Sequence, residues 1–125
     1  MTFKKLKFLV AEDNKMNVLI IKKFLEKQGI EIDVAENGEK AIQLAVQNTY
    51  DLILMDLQMP LLDGYQAARK IRESHKNVPI IAITATAFLD VKKEVHDYGM
   101  NDYVTKPFSE AELLEVIKRH VKEIR

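Results

Sequence analysis

The sequence predicts an α/β domain built on a five-stranded parallel, doubly wound sheet of order 2-1-3-4-5. Three observations lead there. Short apolar runs alternate strictly with longer amphipathic segments along the 125 residues. Runs such as LILM (Leu52–Met55) and IIAI (Ile80–Ile83) are apolar at every position, which suits strands covered on both faces. Helical crossovers between successive strands make those strands parallel, and five-stranded doubly wound domains commonly take this order.

Each element has its own signal. Strands are expected at Leu6–Ala11, Ile30–Ala35, Leu52–Met55 and Val78–Ile83, with a short fifth at Tyr103–Val104. Asn14 or Asp13 caps a first helix running to about Gln28, and Gly29 stands at its C′ position. Its core face gathers Val18, Ile21, Phe24 and Leu25, which leaves Met16, Leu19 and Ile20 roughly opposite. A second helix fits Glu39–Gln47, with Ala41, Ile42 and Ala45 on one side, and a third fits Tyr65–Ser74 around Ala68 and Ile71. The fourth, Leu89–Tyr98, has only Val91 and Val95 as an apolar stripe and stops at Gly99. In the last, Ser109 and Glu112 form a capping box ahead of Leu113, Leu114, Ile117, Val121 and Ile124.

Composition narrows the function. Nineteen basic and nineteen acidic residues give a net charge of zero, which argues against direct nucleic-acid binding through phosphate neutralisation. The absence of cysteine excludes disulfides, thiolate metal sites and a cysteine nucleophile. No apolar run exceeds four residues, far below the roughly 20 of a membrane helix, and Lys4, Lys5 and Lys7 precede too short a run for a signal peptide. One cytoplasmic domain over residues 1–125 is the expectation. His75, His96 and His120 lack ligand spacing and read as surface residues, while Lys118, Arg119, Lys122 and Arg125 complement the dipole of the last helix.

Polar residues interrupt the apolar runs at one kind of place. Glu12 and Asp13 follow the first strand, Asp56 the third, Thr84 the fourth, and Lys106 comes just after the fifth. Parallel strands put all of these on one edge of the sheet, where open α/β sheets bind ligands. The strand order makes strands one and three neighbours, so Glu12, Asp13 and Asp56 converge. A lone acidic pair after a strand usually just caps a helix; the conjunction at matching strand ends asks for more. Two like charges about 4 Å apart repel by roughly 4 kcal/mol at an effective dielectric near 20. Lys106 offsets one of three negative charges, and a divalent cation would neutralise the rest. Oxygen ligands without Cys or clustered His favour a hard ion such as Mg²⁺ (or Mn²⁺), which commonly shares its shell with a phosphate.

The motifs AEDN (Ala11–Asn14), LMDLQMPLLDG (Leu54–Gly64), ITA (Ile83–Ala85) and TKPF (Thr105–Phe108), in this order, resemble the receiver domain of two-component response regulators, a flavodoxin-like fold. The resemblance spans essentially the whole chain. It implies that Asp56 accepts a phosphoryl group as a carboxylate nucleophile. It further implies that Asp13, Asp56 and the Gln58 carbonyl bind the metal, with Glu12 acting mainly through a bound water. Lys106 and Thr84 would meet the phosphoryl oxygens, and Lys106–Pro107 would be cis. Gly64 fits a tight turn before the third helix, and Gln58 and Thr86 would influence the lifetime of the adduct.

In such a domain Thr84 turns towards the phosphoryl group and Tyr103 moves in behind it, remodelling the face of helix four, strand five and helix five for a downstream protein. The phosphodonor is a histidine kinase or histidine phosphotransfer domain, expected to pack its helical bundle on Met16, Leu19 and Ile20. Such a chain phosphorylates itself from a donor and loses the group slowly, rather than acting as a conventional enzyme. The wording AEDNKMN and GMNDYVTKPF is similar to receivers of hybrid histidine kinases, so the chain reads either as a stand-alone regulator or as a segment of such a kinase. An aspartyl-phosphate phosphatase would instead carry DxD after strand one, where this chain has EDN, and a nucleotide or flavin binder would need a phosphate loop there.

Overall fold

The structure, a computed structural model, describes residues 5–85 and 91–121. Five strands, β1 (Lys7–Ala11), β2 (Glu31–Ala35), β3 (Leu52–Asp56), β4 (Ile80–Thr84) and β5 (Asp102–Thr105), form one sheet of order β2-β1-β3-β4-β5. Every pairing is parallel, as the crossovers require. Between them run α1 (Lys15–Glu26), α2 (Gly38–Gln47), α3 (Gly64–Arg72), α4 (Val91–Asp97) and α5 (Glu110–Lys118). The predicted topology is the observed one.

Strand periodicity divides the core in two. Phe8 and Val10 of β1 join Ile21 and Leu25 of α1 and Leu113 and Ile117 of α5 on one face. Leu9 and Ala11 join Ala41 and Ala45 of α2, Ala68 and Ile71 of α3, and Val95 of α4 on the other. β3 and β4 are buried along their whole length, as central strands with covered faces should be. β2, at the edge, is half-exposed and includes the exposed Val34.

The caps sit where the sequence put them, with additions. Asn14 accepts the Asn17 amide, and Ser109 and Glu112 close their capping box. Gly29 and Gly99 take φ values of +75° and +87°. Asn37 and Asp63 cap α2 and α3, one residue ahead of the glycines that start them. Two expectations change. The regular α5 ends at Lys118, with Val121 buried beyond it, and the expected Ile124 lies outside the described residues. On α1, Val18 and Phe24 are only half-buried; Ile21 and Leu25 carry the burial. Leu89 and Thr86 also lie outside the described residues.

Candidate functional site

Asp56 and Thr84 are the last residues of β3 and β4, one place earlier than a residue following each strand, because the ladder continues through them. Both are buried, as is Glu12 just beyond β1. Glu12 is locked there by its amide, which donates to the Ala35 carbonyl at 2.9 Å. Lys106 is fixed in the same way, donating its amide to the Thr84 carbonyl at 2.8 Å. Backbone ladder bonds therefore set the spacing of the charged side chains.

Those side chains converge. Lys106 Nζ lies 3.1 Å from Asp56 Oδ2 and 3.1 Å from Glu12 Oε1. Asp56 Oδ1 accepts the Gln58 amide at 3.0 Å, and Glu12 Oε2 accepts the Asn14 amide at 3.1 Å. Carboxylate oxygens of Glu12, Asp13 and Asp56 all fall within 4.8 Å of one another, with Asp13 at the exposed mouth. The Lys106–Pro107 bond is cis.

This cluster is electrostatically incomplete. Burial pushes the Glu12 carboxyl up to about 7, reinforced by the hydrogen bond and charge of Asp56, against the opposing pull of the Asn14 amide and Lys106. Burial alone would lower Lys106, but Asp56 and Glu12 together hold its ammonium above the ordinary lysine value. Glu12 Oε1 is buried and has the ion-pair contact with Lys106 but no hydrogen bond. Three all-oxygen donors, one of them buried without a hydrogen bond, and an excess of negative charge fit a hard divalent cation.

The remaining predicted residues lie on neighbouring elements. Gln58 lies just after Asp56 with an exposed side chain. Tyr103 is half-buried against the α2–α3–α4 side of the core, in register with Ala82, and so on the same sheet face as Thr84 two residues on. Met16, Leu19 and Ile20 are 64%, 60% and 40% exposed. A cleft of about 340 Å³ lined by Asn17, Ile20, Lys106, Pro107 and Phe108 connects this patch to the lysine.

Some contributors escaped sequence reasoning. Gly64 does not serve a tight turn. A Cβ there would stand 2.2 Å from the Asp56 carbonyl oxygen, so α3 starts pressed against the backbone of Asp56. Gly38 is bound similarly, since a Cβ would meet the Leu62 carbonyl oxygen at 2.1 Å. Leu61 takes φ +69°, with the Leu62 amide donating to the Pro60 carbonyl at 2.8 Å, a γ-turn of the rare positive-φ kind. The DG pair signalled the glycine but not its reason; no local signal marks a leucine for this turn. Nor is His120 simply a surface residue, because its Nε2 lies 3.0 Å from Asp102 Oδ2.

Comparison with known proteins gives this arrangement its context. The response regulator receiver domain family matches residues 8–118. Hybrid signal transduction histidine kinase L of Dictyostelium discoideum is 40% identical over 124 residues, covering 93% of this chain, which spans only 7% of that protein's length. The receiver domain of sensor histidine kinase PA1611 from Pseudomonas aeruginosa has magnesium coordinated in its active-site cleft; it is 39% identical, with a TM-score of 0.86 over 94% of this chain and 98% of that one. The Saccharomyces cerevisiae complex of the histidine phosphotransfer protein Ypd1 with the receiver domain of Ssk1 contains a chain 34% identical, with a TM-score of 0.87 over 96% of this chain and 91% of that one. Fold, motifs and relatives agree that this chain belongs to the response regulator receiver domain family, the receivers of two-component and phosphorelay signalling.

Proposed function

We propose that this receiver takes a phosphoryl group from a phosphohistidine onto Asp56. The observation carrying this reading is the pairing of buried Asp56 with Lys106 at 3.1 Å inside a three-carboxylate cluster. In the transfer, an Asp56 carboxylate oxygen bonds to phosphorus as the phosphorus–nitrogen bond breaks, and the departing imidazole takes a proton. Negative charge is spread over the three phosphoryl oxygens, so the chain acts by positioning and electrostatics. Lys106 would meet one oxygen and the Thr84 hydroxyl another. Glu12, Asp13, Asp56 and the Gln58 carbonyl would hold Mg²⁺ or Mn²⁺, which supplies the positive charge the cluster lacks.

Phosphorylation adds roughly −1.5 to −2 charges and three acceptor oxygens. Movement of Thr84 towards them, with Tyr103 following, would remodel the α4–β5–α5 face for a downstream protein. The donor is a histidine kinase or histidine phosphotransfer domain, a reading supported by the Ypd1 complex of a relative, and its docking on Met16, Leu19 and Ile20 is supported by the exposed apolar patch they form. The parent is proposed to be a hybrid kinase or a stand-alone cytoplasmic regulator, both of which would use this same site.

Incubation with acetyl phosphate and Mg²⁺, followed by intact mass measurement, tests the central step. One phosphoryl adduct is expected, dependent on Mg²⁺ and absent in Asp56→Asn. An adduct that persists in Asp56→Asn would refute the assignment.

A further inference from the structure

α4 is weakly built into the fold. Of its seven described residues, Val91–Asp97, only Val91 and Val95 are buried. Besides packing on β5, it is joined to α3 through two residues one turn apart on each side. The Tyr65 hydroxyl donates to Glu94 Oε2 at 2.9 Å, and the Tyr65 ring meets the Tyr98 ring at a centroid distance of 4.9 Å and an angle of 49°. The Arg69 guanidinium lies over the Tyr98 ring, 4.4 Å from its centroid. Residues 65 and 69 are i and i+4 on α3, and 94 and 98 stand in the same relation on and just beyond α4, so the two pairs interlock like a clasp.

The position of the clasp matters. Tyr65 is bonded in sequence to Gly64, the residue pressed on the Asp56 carbonyl. The Tyr65 hydroxyl, pushed up to about 12 by burial and by Glu94, remains a proton donor at neutral pH. An exposed hydrogen bond and an aromatic pair are each modest in strength, which suits a contact meant to open.

We propose that Tyr65 is a latch that holds α4 to α3 in the resting receiver, and that occupation of the Asp56 site works against this latch. The route is separate from Thr84 and Tyr103, because it runs through the backbone contact of Gly64 and the first turn of α3. Its second half rests on the phosphoacceptor reading above; the latch itself does not. A latch has a consequence that static packing lacks, since whatever opens it must by linkage bind more tightly once it is cut.

Hydrogen exchange of the α4 amides, read without any phosphodonor, tests the latch. Tyr65→Phe keeps the ring and removes the hydroxyl, and Glu94→Ala removes the acceptor from the exposed side. Each is expected to speed exchange in Val91–Asp97 about threefold to tenfold, the yield of one net hydrogen bond. Exchange in β1 and β3 should be unchanged, and the double variant should go no further than either single one. Unchanged α4 exchange, or additive effects in the double variant, would overturn the latch.

Titration with beryllofluoride in Mg²⁺, using the same proteins, tests the coupling. Tyr65→Phe is expected to bind this phosphoryl mimic more tightly by the same factor. Equal affinity would overturn the coupling. Failure of the wild-type protein to bind the mimic at all would instead count against the phosphoacceptor site, and with it the coupling, while the exchange result still decides the latch.

Discussion

The two ends of the parallel sheet make opposite use of polar side chains. At the amino end they are spent on satisfied hydrogen bonds, to backbone groups and to one another. Lys7 donates its amide to Asp51 Oδ2 at 2.9 Å, and Tyr50 donates to Asp33 Oδ2 at 2.7 Å. Arg72 donates to the carbonyls of Gly99 and His75 at 2.6 and 2.9 Å and to Asn101 Oδ1 at 2.7 Å; Asn101 Oδ1 also accepts the Ile80 amide. At the carboxyl end, three carboxylates crowd one lysine, and one buried oxygen lacks a hydrogen bond. The same sheet thus has one end arranged for stability and one that holds electrostatic energy in reserve. Functional sites are often destabilising in this way.

The contrast can be broken most severely at the amino end. Arg72→Ala removes three hydrogen bonds, two joining α3 to the turn between α4 and β5 and one to the His75 carbonyl just after α3, and should cost about 3 kcal/mol in a urea titration. A loss near zero would mean that the amino end is not held by these contacts.

At the carboxyl end the expected sign is reversed by a cation. Mg²⁺ at about 100 times its dissociation constant should stabilise the wild-type protein by about 2.7 kcal/mol, and the gain should vanish in Asp13→Asn. The pH dependence sharpens this point. In chelator, folded Glu12 titrates near 7 rather than at its ordinary 4.5, so the folded state holds the extra proton between those values. Its contribution to stability therefore falls as pH rises from about 4.5 to 7 and is constant above that. Subtracting the Glu12→Gln profile from the wild-type profile should reveal this slope, and a flat difference would show that Glu12 carries no such burden.

The smallest effect lies in the loop beside Asp56. Leu61 is 77% exposed and held at φ +69°. Strained φ values cost about 1–3 kcal/mol, while glycine costs the chain about 0.5–1 kcal/mol in entropy. Leu61→Gly should thus stabilise the protein by about 1 kcal/mol, measured as a raised denaturant midpoint.

The legible parts of this protein are those with local causes. Asn14, Gly29 and the Ser109–Glu112 pair act within one turn of chain, so their types and spacing announced them. The apolar runs announced β3 and β4 because both faces of those strands are covered. Arg72 was invisible, since its partners at Gly99 and Asn101 are distant in sequence and accept from any correctly placed donor. His120 was misread for the same reason, as Asp102 lies eighteen residues away.

By itself, then, the sequence determined the alternation of elements, the parallel sense of the sheet and the set of charges at its carboxyl edge. Those follow from periodicity and from the rule that crossovers make strands parallel. Only the tertiary structure decided that Glu12 is buried with an oxygen lacking a hydrogen bond, that Gly64 presses on Asp56, and that Tyr65 grips α4. Burial and close approach are properties of several segments at once, and no single segment contains the information to specify them.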